Sequence, residues 1–154
     1  MAAAYRIFKT RFAKTWFDGE GAFLYGGRWN TKGTRILYSA ATLSLAVLEM
    51  LVHLNASELL SSYSYAAIEL AESNILSVEE LYALPANWND FPPPLKAQTI
   101  GDRWAASSVS LAMKVPSAVV PGEYNYLINV GHEDFAKIER SEPRRFRFDE
   151  RLKR

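Results

Sequence analysis

The sequence predicts a single α+β domain built on a mixed sheet, and three observations lead there. Short runs rich in β-branched and aromatic residues, "YRIF" (5–8), "TRILYSA" (34–40) and "SYSYAAIEL" (62–70), read as strands. Between the second and third lies "ATLSLAVLEMLVHL" (41–54), a run of good helix formers with Thr42 or Ser44 placed to cap its start. A later stretch, "KVPSAVVPGEYNYLINV" (114–130), sets "PGE" between two arms and reads as a hairpin.

The remaining segments fill in around these. "FDGEGAFLYGGRWNTKG" (17–33) is glycine-rich and aromatic, and is expected to be a long loop with one short strand. At 100° per residue the 41–54 helix is apolar almost all round, which predicts burial, with Glu49 and His53 together on the side of Ala46. "SVEELYAL" (77–84) reads as a short helix. "PANWNDFPPP" (85–94) must be irregular, because proline supplies no N–H and restricts its neighbours. "QTIGDRWAASSVSLAM" (98–113) reads as a helix carrying Trp104. In the second hairpin arm Tyr124, Tyr126, Ile128 and Val130 share one face and Asn125, Leu127 and Asn129 the other.

Composition bounds the function. At 154 residues the chain is expected to form one domain, 1–154, large enough to bury about two-thirds of its unfolded surface. With 49% apolar residues and a net charge of +1, it reads as a folded globule with no general case for nucleic-acid or membrane binding. Cysteine is absent, which removes thiol nucleophiles and cysteine-ligated metals and suits a reducing cytoplasm. The start lacks a secretory h-region, and "LSLAVLEMLVHL" (43–54) is too short to span a bilayer, so the expected location is cytoplasmic. From Arg140 to Arg154 seven Lys or Arg stand against three Asp or Glu; this basic tail reads as solvated or as a protein contact.

Several residues are candidates for chemistry. "GGRWN" (26–30) places glycines before a cation and an indole, which suits either a pocket for an anionic ring-bearing ligand or a turn with Trp29 packed. Glu49 on a largely apolar helix is costly unless it is paired, with His53 for instance, or faces a polar cleft. Ser117 lacks a G-x-S-x-G elbow, so a hydrogen-bonding or structural role fits it better than nucleophilic attack. Asn125 and Asn129 line a cleft or face water. Tyr38 reads as a core aromatic whose hydroxyl can reach a site. The histidines His53 and His132 make no metal set, and no phosphate loop is present.

Taken in order, "YRIF", "GGRWNTKGTRILYSA", "SLAVLEMLVHL", "VPSAVVPGEYNYLINVGHEDF" and "FRFDERL" resemble the RES-domain family, named for an arginine, a glutamate and a serine. The likeness runs from about Tyr5 to Leu152. The family's late motif E-N-Y-L-x-N reads "EYNYLIN" here, its glutamate and asparagine separated by Tyr124. The resemblance implies a fold similar to ADP-ribosyltransferases and a toxin of a bacterial toxin–antitoxin pair. Such a toxin depletes NAD by cleaving its nicotinamide–ribose bond through phosphorolysis or hydrolysis, or ADP-ribosylates a protein. It also implies NAD as substrate with no cofactor or metal, inorganic phosphate as a candidate co-substrate, and an antitoxin with a helix-turn-helix part whose C-terminal region blocks the site.

By motif the resemblance places the family's arginine on Arg28, its tyrosine on Tyr38, its glutamate on Glu49 and its serine on Ser117, with Ser107, Ser108 and Ser110 as alternatives. Arg6, Gly27 and Asn129 join Arg28 and Tyr38 as expected NAD-binding positions. Glu49 is then a stabiliser of oxocarbenium-like charge, Tyr38 a stacking surface for nicotinamide, and Ser117 a hydrogen-bonding partner for an amide or ribose hydroxyl. The competing expectations are a non-catalytic nucleotide- or partner-binding module and nucleic-acid binding through the tail. The aromatic content is compatible with a homodimer.

Overall fold

The computed structural model describes residues 1–152. Its strands are β1 (Ala2–Lys9), β2 (Ile36–Ala40), β3 (Tyr63–Leu70), β4 (Ile75–Ser77), β5 (Ala112–Pro116), β6 (Tyr124–Asn129), β7 (Glu139–Arg140) and β8 (Arg144–Phe146). They form one mixed sheet in the order β4-β5-β6-β2-β1-β3-β7, with β8 also paired to β3. All described pairings are antiparallel except β4 with β5. The helices are α1 (Glu20–Tyr25), α2 (Leu43–Leu51), α3 (Val78–Leu81) and α4 (Leu95–Ser107). The α+β class with a mixed sheet is therefore as the strand and helix signals require.

Residues opposite one another across a sheet share a face. On one face, Tyr5, Ile7, Tyr38, Ala40, Asn125 and Leu127 line up through the β1–β2 and β2–β6 registers. Two helices cover this face. α2 packs Leu45 and Ala46 on Ile7, Ala40 and Tyr63. α4 packs Ile100 and Trp104 on Ile36, Met113, Val115 and Leu127. Each fully buried side chain of this size contributes ~1.5–3 kcal/mol. The two clusters meet over β2 and β6, where Tyr38 and Asn125 stand. The opposite face buries Phe8, Leu37, Ile68 and Ile128 against Trp16, and the Phe8 and Trp16 rings stack at 5.3 Å.

β1 and β2 pair only at Tyr5–Ala40 and then part, although β1 runs its full length along β3. Arg6 bridges the parting, its Nη1 donating to the Tyr38 carbonyl at 3.0 Å. The strand that carries Tyr38 is thus tied to its neighbour by a side chain where the ladder stops.

Four expectations need correction. The 17–33 segment contains no strand but the helix α1: Asp18 accepts from the Glu20 N–H at 2.9 Å, and Gly19 and Gly26 flank the helix with φ of 71° and 75°. Six residues are too few for periodicity to show. The Thr42 cap of α2 forms, its Oγ1 accepting from Leu45 N at 3.0 Å, but the helix is only half-buried. Leu48 (43% exposed) and Val52 (59% exposed) face solvent, while Ala46, on the side of Glu49, is buried. α4 starts at Leu95, directly after the prolines, and ends at Ser107; Leu111 to Met113 belong to the sheet side of the chain. The hairpin closes as expected: Pro121 and Gly122 are the centre of a turn in which Glu123 N donates to the Val120 carbonyl at 3.2 Å, and Ser117 N donates to the Glu123 carbonyl at 2.8 Å.

The fourth concerns the tail, whose described part is not a solvated arm. β7 and β8 pair with β3, and the alternation Arg-Phe-Arg-Phe turns Phe146 and Phe148 inward, their rings edge-on to Tyr65 and Tyr63. Lys153 and Arg154 lie outside the described residues.

Candidate active site

Glu49 sits two turns along α2 on the side that faces β6. Its Oε1 accepts two hydrogen bonds, from Ser117 Oγ at 2.6 Å and from Asn125 Nδ2 at 3.0 Å. Oε2 accepts none among the described residues. The expected pairing of Glu49 with His53 does not form: His53 is exposed, and its ring stands 6.5 Å from that of Phe91. A carboxylate on this helix is therefore accommodated by two neutral donors that fix one oxygen and leave the other free.

The serines differ in what they touch. Ser117 Oγ accepts from the N–H groups of Val119 and Val120, both at 3.0 Å, while donating to Glu49. A hydroxyl has one hydrogen and two lone pairs, so all three are spent. Ser117 can neither attack a substrate nor hold one without giving up a bond, and its one proton goes to Glu49. Ser107 and Ser110 are committed elsewhere, to the Trp104 carbonyl and to Trp104 Nε1 and the Ala112 carbonyl. Ser108 ends α4 with a φ of 52°.

The run "GGRWN" is a turn whose Arg28 emerges from it. Gly27 and Asn30 form an isolated bridge. A Cβ on Gly27 would lie 2.7 Å from Tyr38 Oη, so the glycine makes room for the tyrosine. Tyr38 Oη donates to Asn30 Oδ1 at 2.6 Å and accepts from Trp29 N at 3.0 Å. Burial raises its pKa above the usual value for a phenol, so it stays neutral in this setting. Trp29 is core: a Cβ on Gly101 of α4 would lie 1.7 Å from the Trp29 carbonyl oxygen, so only glycine lets the helix pass there.

Arg28 spends one nitrogen on the protein. Its Nη1 donates to the carbonyls of Trp88 at 2.9 Å and Asp90 at 2.7 Å, pinning the irregular 82–94 connection. Trp88 stacks on Trp29 with ring centroids 6.0 Å apart. The Nε and Nη2 edge makes no hydrogen bond among the described residues. Partial burial lowers the Arg28 pKa, against which Glu49, Tyr38 and Asp90 raise it. Glu49 thus acts on Arg28 electrostatically although the two form no ion pair. A free guanidinium edge of this kind suits a bidentate anion such as a phosphate.

Arg6 reaches this assembly through the Tyr38 main chain. Burial lowers its pKa to about 10, with Asp18 opposing, and its Nε is buried without a partner. Asn129 does not reach it. Its amide donates to the Ala105 carbonyl at 2.9 Å and accepts from Gly131 N at 3.1 Å, four residues and roughly 13 Å along β6 from Asn125. The polar residue of that strand face that does meet Glu49 is Asn125, whose Oδ1 is buried without a partner. Alternation places Asn125 and Asn129 on the same face and cannot say which end of the strand lies under α2. No sequence signal marks the Trp88 and Asp90 carbonyls.

Fold and site together define an α+β domain with an immobilised carboxylate beside a half-free guanidinium. Residues 3–149 match the model of the RES domain, and the chain belongs to the RES-domain family. It is 42% identical over 97% of its length, and 98% of the relative's, to "Toxin Res" of Yersinia enterocolitica. To "Prs ADP-ribosylating toxin" of Sphingobium sp. it is 36% identical, covering 88% of this chain and 85% of that one. A chain in the crystal structure of the M. tuberculosis MbcT–MbcA toxin–antitoxin complex superposes with a TM-score of 0.77, over 95% of this chain and 84% of that one, at 17% identity, a likeness of fold.

Proposed function

We propose that this protein is the toxin of a toxin–antitoxin pair and an enzyme that breaks the nicotinamide–ribose bond of NAD. The single observation that carries the chemistry is the Glu49 carboxylate, locked through Oε1 by Ser117 and Asn125 with Oε2 left open. As the C–N bond breaks, its electron pair neutralises the departing pyridinium nitrogen and the ribose C1′ becomes oxocarbenium-like. Glu49 Oε2 stabilises that positive charge. It does so without reorganising, because its partner oxygen is already fixed. Arg28 binds the diphosphate through Nε and Nη2. The C1′ cation is then captured by water, with loss of a proton, or by a phosphate oxygen. The groups involved need no cofactor, and NAD enters as substrate.

Support for the toxin reading comes from relatives named as toxins and from the toxin–antitoxin complex that shares the fold. An antitoxin is the partner this reading implies, acting on the same compartment that holds NAD. A second outcome, transfer of ADP-ribose to a protein side chain, is favoured by the name of the Sphingobium relative. It breaks the same bond and uses the same groups. The deciding experiment measures nicotinamide released from NAD by purified protein, with and without inorganic phosphate and beside Arg28→Ala and Glu49→Ala. Phosphate-dependent release marks a phosphorylase, and independence a hydrolase. Release only when a protein acceptor is added marks a transferase. No release under any of these conditions, from folded protein, overturns the proposal.

A further inference from the structure

We infer that Trp88 is a positioning residue for Arg28: stacked on the core through Trp29, it fixes two main-chain carbonyls that hold the guanidinium with its free edge aimed. The inference rests on the function proposed above and adds to it a residue that sets substrate affinity without touching substrate. An arginine leaving a turn samples many rotamers, and a rotamer-rich side chain that must be ordered on binding weakens binding. Here Nη1 has two hydrogens and meets two carbonyls, those of Trp88 at 2.9 Å and Asp90 at 2.7 Å. The guanidinium is planar, so fixing Nη1 at two points fixes the plane and with it the direction of Nε and Nη2. Glu49 raises the Arg28 pKa, which puts the guanidinium within electrostatic reach of the carboxylate.

The two carbonyls are held in their turn. Trp88 N donates to the Pro85 carbonyl and Asp90 N to the Asn87 carbonyl, each at 3.0 Å, so two overlapping turns stiffen residues 85–90. Within that stretch the side chain packed on the core is the Trp88 indole, 6.0 Å from the Trp29 ring with the planes 20° apart. Trp29 is itself immobile: it is 2% exposed, and its carbonyl lies against Gly101 of α4 where a methyl would clash. Contact therefore runs without a gap from α4 to Trp29, to Trp88, to its carbonyl and to Arg28. Two adjacent residues receive the hold of one segment, Trp29 on its ring and Arg28 on its carbonyls.

The test measures the 15Nε–1H order parameter of Arg28 by NMR, together with kcat and KM for NAD, in wild type, Trp88→Ala, Trp88→Phe and Arg28→Ala. The order parameter should be about 0.85 in wild type and fall below about 0.6 in Trp88→Ala. KM should rise about three- to tenfold in Trp88→Ala. The change in kcat should stay under about twofold, because Arg28 holds the diphosphate equally before and during bond breaking. Trp88→Phe keeps a ring on Trp29 and should restore both readings. In the Arg28→Ala background Trp88→Ala should have no further effect on KM.

An unchanged order parameter in Trp88→Ala overturns the role. So does a KM rise of the same size with Arg28 absent, which marks a general disturbance, or an unchanged KM, which leaves the contacts as a staple for the loop. Should Trp88→Ala fail to fold, Asn89→Gly loosens the backbone between the two carbonyls at an exposed residue and is judged by the same readings. Should wild type cleave no NAD, the proposed function falls, and binding of inorganic pyrophosphate by titration calorimetry replaces KM. Weaker binding in Trp88→Ala then supports the role, and equal or absent binding overturns it.

Discussion

Glu49→Gln is the sharpest probe of the site because the glutamine carbonyl can take the place of Oε1. In that place it still accepts from Ser117 Oγ and Asn125 Nδ2, the bonds that measure 2.6 and 3.0 Å to the carboxylate. What changes is the charge and the free atom, Oε2, which becomes an amide nitrogen. Hydrogen bonds to a charged group are worth ~1.5–3 kcal/mol and neutral ones ~1, so two weakened bonds cost about 1–3 kcal/mol of stability. For a domain of this size that lowers Tm by roughly 2–10 °C and leaves the protein folded at 25 °C. The catalytic loss should be larger. Removing one preorganised electrostatic group costs ~2.7–4 kcal/mol, or about 100- to 1,000-fold in kcat, with KM for NAD little altered. Thermal unfolding by circular dichroism and nicotinamide release by chromatography measure the two effects separately. A Gln variant that kept more than about a tenth of the wild-type kcat would refute the assignment of the free oxygen to charge stabilisation.

The other expectations are narrower. Ser117→Ala removes a positioning group rather than a nucleophile, so kcat should fall by about 10- to 100-fold and less than in Glu49→Ala; a loss equal to that of Glu49→Ala would restore the serine to the chemistry. Asn129→Ala leaves Ala105 and Gly131 without their partner. It should cost ~2–3 kcal/mol of stability by denaturant titration and leave kcat/KM of the folded protein unchanged. Gly101→Ala drives a methyl into the Trp29 carbonyl, and loss of 3 kcal/mol or more, or failure to fold, is expected by thermal melt.

Tyr38 makes stability fall in alkali. Its folded-state pKa lies above the unfolded value of about 10, so above that pH the unfolded chain loses a proton the folded one keeps, and the slope is about −1.4 kcal/mol per pH unit. Tyr38→Phe removes that slope. Arg6, with a folded pKa of about 10, acts in the opposite direction in both proteins and cancels in the comparison. Chemical denaturation at pH 7, 10 and 11 should show the gap between wild type and variant closing as pH rises.

The site lies where two hydrophobic clusters meet on one sheet face. α2 packs over Ala40 of β2 and α4 over Ile36 of β2 and Leu127 of β6, and between these stand Tyr38 and Asn125. Polar side chains are tolerated there because they satisfy one another: Glu49 with Ser117 and Asn125, Tyr38 with Asn30 and Trp29, Arg28 with two carbonyls. Buried polar groups outside such a network would cost more than folding returns.

Much of this was legible in the chain. The alternation of 62–70, the Thr42 cap with the helix behind it, and the hairpin arms around 117–123 are local signals, and local geometry enforces them. Arg28, Tyr38, Glu49 and Ser117 could be picked out because a charge or hydroxyl among apolar neighbours has few structural uses. Tertiary structure alone decided what each of them touches. Whether Ser117 holds substrate or Glu49 depends on two backbone N–H groups and a helix 68 positions away in sequence. Whether Asn125 or Asn129 meets that carboxylate depends on which end of β6 lies under α2, and strand periodicity repeats along the strand without marking an end. Sequence set the type of each group; long-range packing set which of their lone pairs and protons remain free, and that remainder is what a substrate meets.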